Sequence, residues 1–108
     1  LAKVEINGHA SAPQRLDLGI RIFPDVCKIL GDLDPEPKTG HCSVVVPEAS
    51  FYGKWNYYVE VKCDPNTNRE ERIEAMAHEI LAKIKGGGPD YEAAGVYLDI
   101  GTKRFWAE

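Results

Sequence analysis

No stretch of this chain approaches the roughly 20 consecutive apolar residues that a membrane-spanning helix requires, so no span is expected. A cluster of lysine and arginine is missing too, and the formal net charge is -4. A phosphate backbone is therefore not an expected partner, which sets nucleic acid aside. Cysteine is sparse: Cys27, Cys42 and Cys63 make an odd number with no Cys-x-x-Cys pair. In a 108-residue chain, large enough for its own core, that pattern fits reduced thiols and a cytoplasmic location better than a disulfide framework. No basic segment followed by an apolar one marks a signal peptide, although the first residue is Leu1 and not methionine.

Motif absences narrow the chemistry. There is no Gly-x-Ser-x-Gly elbow for a serine nucleophile. Gly86-Gly87-Gly88 follows a helical pattern and is not succeeded by Gly-Lys-Ser/Thr, so it reads as a helix stop and linker, not as a phosphate cradle. Zinc ligands come in short-spaced pairs, and His41-Cys42, adjacent on a strand, would point to opposite faces. Neither a metal nor a cofactor is expected.

What is present is periodicity. Ala2, Val4 and Ile6 alternate with Lys3, Glu5 and Asn7, the period-two signature of a half-buried strand. Ser11-Ala12-Pro13 then offers an N-cap and a first-turn proline. Leu16, Ile20, Phe23, Cys27 and Leu30 recur as one helical face, while Leu16, Leu18, Ile20 and Ile22 also alternate as a strand would. Residues 15–22 thus read either as part of one helix kinked at Pro24 or as a strand followed by a short helix. A loop rich in proline and glycine leads to a second strand in Cys42-Ser43-Val44-Val45-Val46, and an aromatic excursion around Gly53 leads to a third, Tyr57 to Cys63. Thr67 with Glu70, or Asn68 with Glu71, caps a helix whose apolar stripe is Ile73, Met76, Ala77, Ile80, Leu81 and Ile84. His78 falls on its flank and is expected as a surface residue. Gly95 to Ile100 reads as a fourth strand, and residues 101–108 as an aromatic tail.

The order predicts an α+β protein of one domain, 1–108. A β-α-β unit occupies about 1–47, a second about 56–101, and together they form a four-stranded sheet with both helices on one face. Val4, Val44, Val46, Val59 and Val61 allow the other face to be apolar, which would call for self-association to cover it. Phe51, Tyr52, Lys54, Trp55, Tyr57 and Tyr58, with Arg104, Phe105 and Trp106, can either line a pocket for a small anionic, unsaturated ligand or seal a subunit interface. His41 begins the second strand, and strand starts in a parallel unit share one sheet edge. His41, Lys3 and a terminal amine could meet there as a proton-transfer site, since imidazole and α-amine titrate near neutrality.

Two β-α-β units, a strand from the first residues, the helix signals Ser11-Ala12-Pro13-Gln14-Arg15 and Ile29-Leu30-Gly31, and Tyr57-Tyr58-Val59-Glu60-Val61 followed by Asn68-Arg69-Glu70-Glu71-Arg72-Ile73 together resemble the tautomerase superfamily. The resemblance, to proteins such as 4-oxalocrotonate tautomerase and macrophage migration inhibitory factor, implies a homotrimer and an isomerase that shifts a proton on a small unsaturated keto acid. In that family the amine of an N-terminal proline is the reagent. Here Leu1 stands at that place, or Ala2 if the first residue is removed, and a primary amine at Ala2 would then have to act, with Lys3 and His41 beside it. The resemblance further suggests Arg104 or Lys54 to hold a carboxylate and Trp106 or Tyr52 as the apolar wall. The competing expectation is a noncatalytic module for small-molecule binding or assembly. A ferredoxin-like sandwich is a third possibility, if residues 15–22 are a strand.

Overall fold

The alternation in Ala2–Asn7 makes strand β1, with Ala2, Val4 and Ile6 fully or nearly fully buried. The structure is a computed structural model that describes residues 2–31, 42–47 and 53–108. Strand β2 (Cys42–Val45) runs parallel to β1 with Ala2 opposite Cys42. Strand β3 (Tyr57–Cys63) runs antiparallel on its other side, setting Val4 opposite Val61 and Glu5 opposite Glu60. Strand β4 (Ala94–Asp99) is parallel to β3. The sheet is mixed, in the order β2-β1-β3-β4-β5.

Its fifth strand corrects the four-stranded expectation. The tail turns at Gly101, where φ is 86° and the Asp99 carboxylate accepts the Gly101 N–H at 2.7 Å. The Ile100 N–H then reaches the Lys103 carbonyl, and Arg104–Ala107 returns antiparallel along β4 as β5. Phe105 packs against the core and Trp106 points away from it. Because the outward-facing Trp106 is itself apolar, Arg104-Phe105-Trp106-Ala107 shows no polar–apolar alternation in the sequence.

Between β1 and β2 the chain forms one uninterrupted helix, α1 (Ala12–Leu30), so residues 15–22 are not a strand. Ser11 and Gln14 exchange a capping box at its start, and Gly31, in the left-handed conformation, closes it. Pro24 lies within this helix on an exposed position. The carbonyl it leaves without a donor, that of Ile20, belongs to a residue 62% exposed and can be met by water. The buried stripe differs from the expected one. Leu18, Ile22, Val26, Cys27 and Leu30 face inward, whereas Leu16 is 46% exposed. Gly19 explains the choice: a Cβ there would lie 2.6 Å from Val44 Cγ1, so the helix approaches the sheet along the Gly19 side.

Helix α2 (Thr67–Lys85) is capped by Asn66, whose side chain accepts the Arg69 N–H at 2.8 Å, one residue before the predicted cap. Its predicted stripe, from Ile73 to Ile84, is buried throughout. Both helices have 19 residues, and each landmark of the first unit recurs 55 positions later: Ala2 and Tyr57, Ser11 and Asn66, Gly31 and Gly86. A single 3-10 turn, Pro89–Tyr91, lies within the glycine-rich link to β4.

The helices are clasped by arginines. Arg21 of α1 donates to the Lys83 and Ile84 carbonyls at the end of α2, both at 2.9 Å, and lies over the Tyr91 ring. Arg69 of α2, buried, donates to the Leu30 carbonyl at the end of α1 at 3.0 Å and to that of Asp64. Each guanidinium thereby meets carbonyls in the last turn of the other helix, where the intrahelical ladder runs out. Arg15, 3% exposed, similarly gathers the carbonyls of Ile6, Ala10 and Pro47. The core joins residues of both helices to one alternating set from the strands, and all five valines named above pack into or against it. That packing corrects the expectation that those valines leave an apolar face open. No helix of the described residues is long and apolar enough to cross a membrane.

Where β1 leaves the sheet, Gly8 has φ 119° and an added Cβ would sit 2.2 Å from the Asn56 carbonyl oxygen. Gly31 also has positive φ, 85°, but among the described residues no atom lies within 4 Å of an added Cβ. Gly8→Ala should therefore cost about 3 kcal/mol or more, through backbone strain plus collision. Gly31→Ala should cost about 1 kcal/mol, the conformational part alone. Chemical denaturation of the two variants checks the contrast.

Candidate functional site

The residues that alternate with the core set form the other side of the sheet, and apart from Val45 and Gly95 those in the rows below are polar or aromatic. Strand pairing arranges them in rows. One row runs Lys3, Lys62, Asp99, Arg104 across β1, β3, β4 and β5. The next runs Val45, Glu5, Glu60, Tyr97, Trp106 across all five strands. A third holds Asn7, Tyr58 and Gly95. Asn7 is buried, and its Nδ2 has no hydrogen-bond partner among the described residues.

Trp55, just before β3, lies over this third row. A Cβ on Gly95 would be 3.2 Å from its Nε1 and 3.3 Å from the Tyr58 ring, so glycine lets the indole settle on the sheet. Trp55 contacts Tyr58 at 5.2 Å between ring centres and meets Trp106 edge-on at 5.4 Å, an arrangement favoured by the ring quadrupoles. Its Nε1 donates to Glu108 Oε2 at 3.1 Å, and the same oxygen lies 3.6 Å from Lys54 Nζ. Lys54, Trp55, Lys85, Glu92, Ala93, Ala94 and Glu108 border an open cleft of about 210 Å³.

The structure divides the residues proposed from sequence. Ala2 is buried at the start of β1, paired with Cys42 and Cys63, and Lys3 beside it is exposed with its ammonium 4.0 Å from Glu5. His41 and Tyr52 lie outside the described residues. Lys54 and Trp106 come together around Trp55, toward the opposite end of β3 from Ala2. Arg104 shares the Lys3 row but is engaged with Asp99 at 3.6 Å. Lys54 and Trp106 thus form one cluster, while Ala2 and Lys3 belong to another edge. The two aromatics of the tail separate as strand neighbours must, Trp106 outward and Phe105 inward against His78. Tyr57 likewise leaves the cluster and stacks on Tyr91 in the core at 4.8 Å. Burial first, and then Tyr91 and Asp90, raise its phenol above the ordinary range.

Glu5, Glu60 and Glu108 were not singled out from the sequence. The first two carried a faint signal, since Val4-Glu5-Ile6 and Val59-Glu60-Val61 repeat a motif. Only the antiparallel pairing makes them direct neighbours. Burial, then repulsion from Glu5, raises the Glu60 carboxyl above the usual glutamate range, with Lys62 and Lys3 opposing.

For an acid with a raised folded-state pKa, the associated stability is present below the unfolded pKa and is lost as pH rises through the folded one. Glu60→Gln, which removes the ionisation, should therefore unfold at a higher temperature than the native chain at pH 7 in dilute solution. The advantage should shrink as pH falls below the ordinary glutamate range, about 4.3. Thermal melts across pH read this directly. Compared with known protein families, curated proteins and solved structures, the chain matches none.

Proposed function

We propose that this chain is a binding module of tautomerase-like architecture, two β-α-β units with both helices on one face of the sheet, that holds a small anionic, unsaturated molecule at the Lys54–Trp55 cleft. The observation that carries the reading is the position of the Glu108 carboxylate. One of its oxygens takes both the Trp55 Nε1 hydrogen bond and the Lys54 charge. A ligand carboxylate has the same requirements, and an indole N–H beside an ammonium meets them with a charge-assisted bond and a flat apolar wall. Lys54 and Glu108 are both solvent-exposed, so their pairing is weak and a ligand can displace it. Lys85 offers a second cation at the rim, and Trp106 a second ring against Trp55.

A proton-transfer reading is kept as the second, on one observation: Ala2 is in parallel register with Cys42, so the starts of β1 and β2 share a sheet edge. Its reaction would be tautomerisation of a small keto acid, with the amine that Ala2 would bear once Leu1 is removed, Lys3 and His41 as the groups involved.

Titration with phenylpyruvate, followed by tryptophan fluorescence, separates these. Binding should quench Trp55 and weaken with added salt. Lys54→Ala should weaken it by about tenfold or more, the worth of a charged hydrogen bond. Glu108→Gln should tighten it by removing the internal competitor. Binding indifferent to both substitutions would exclude the cleft. A tautomerisation rate above buffer that Lys3→Ala abolishes would overturn the noncatalytic reading in favour of the second.

A further inference from the structure

The face of the sheet opposite the core carries its charges in a pattern that is complementary to itself. Lys3, Lys62, Asp99 and Arg104 fill one row, and Glu5, Glu60, Tyr97 and Trp106 occupy the same four strands in the next. We infer that a second copy of this chain docks on this face about a twofold axis that lies in the plane of the face, runs across the strands, and passes between these two rows.

Such an axis keeps each strand opposite its own copy and exchanges the rows. Lys3 then faces the second copy's Glu5, and Lys62 faces its Glu60. Asp99 meets the phenol of Tyr97, which can donate to it. Arg104 meets the indole of Trp106, which is 46% exposed and available for cation–π contact. Every pairing occurs twice, as an isologous interface requires. The other in-plane twofold, running along the strands between β1 and β3, fails on the same map. It would set Lys3 against Lys62 and Glu5 against Glu60, like charge on like in both rows.

Within one chain the pattern is unfavourable as it stands. Lys3 is directly opposite Lys62 and Glu5 directly opposite Glu60, an arrangement that destabilises an antiparallel pair. A second copy brings each of these four residues an opposite charge. Repulsion from Glu5 is the second cause, after burial, of the raised Glu60 carboxyl. The third row, with Tyr58, Gly95 and the overlying Trp55, falls outside the exchanged pair of rows. The face is about 24 Å wide at about 4.8 Å per strand, so the contact belongs among the smaller protein interfaces and the dimer should be concentration-dependent. The inference is independent of the ligand reading, which rests on Lys54 and Glu108.

Charge reversal tests it, with sedimentation velocity on the full chain across a dilution series and circular dichroism to confirm folding. The native protein should form a dimer that weakens with salt. Glu60→Lys and Lys62→Glu should each weaken association at least tenfold, because each places two like charges opposite one another. The two substitutions together restore complementarity and should restore the dimer. A chain monomeric at every concentration, a trimer, a double variant no better than the singles, or a Glu60→Lys variant that associates more tightly would overturn the inference. The last of these is the signature of the rejected axis, where the introduced lysine would meet Glu5 of the other copy. Loss of phenylpyruvate binding with the dimer intact would count against the cleft alone.

Discussion

The antiparallel pairing of β1 with β3 is the constraint on which the rest of this molecule depends. It joins the two β-α-β units at the centre of the sheet, and its register sets Val4 against Val61 on one side and Glu5 against Glu60 on the other. Because side chains alternate with period two, a slip of one residue would turn Val4 and Ile6 out of the core and bring Lys3 and Glu5 in. The hydrophobic set leaves no freedom there: Val4, Ile6, Val59 and Val61 are completely buried. The juxtaposed carboxylates on the outer face are a consequence of the packing within.

The same pairing relates the two halves. Strand, N-cap, 19-residue helix and closing glycine recur at one spacing, and the central strands of the sheet are the first strand of each half. The halves nevertheless differ where they hold each other. Arg21 reaches the end of α2 from within α1, and Arg69 reaches the end of α1 from the start of α2. Neither arginine has an arginine at the equivalent place in the other half, Met76 and Gln14 standing there instead. Two clasps of the same chemistry, set at non-equivalent positions, do the same work of meeting helix-terminal carbonyls.

Glycine determines how closely the layers and rings approach. At Gly19 the helix comes within reach of Val44 and Ile6, and at Gly95 an indole lies on the sheet. The second contact creates the cluster of Trp55, Tyr58 and Trp106 and, with Lys54 and Glu108, the cleft beside it. An aromatic group on an otherwise charged face gives that face two kinds of recognition chemistry, ring contact at one end and paired charges toward the other.

Local periodicity in the sequence was enough to specify β1, β3, α2 and β4, since alternation and the 3.6-residue stripe are properties of neighbouring residues. It also supplied the parallel pairing within each unit, because a β-α-β crossover leaves little choice. It could not decide which of two overlapping stripes α1 buries, a question answered by the approach of Gly19 to β2. Nor could it show β5, whose four residues acquire their alternation only by pairing with β4. Lys54 and Trp106 were legible as chemistry, an ammonium and a ring, but the contacts that bring Trp106 onto Trp55 and Glu108 onto Trp55 and Lys54 were not. Those contacts join residues about fifty positions apart, and in such cases only the closed sheet brings the side chains within reach.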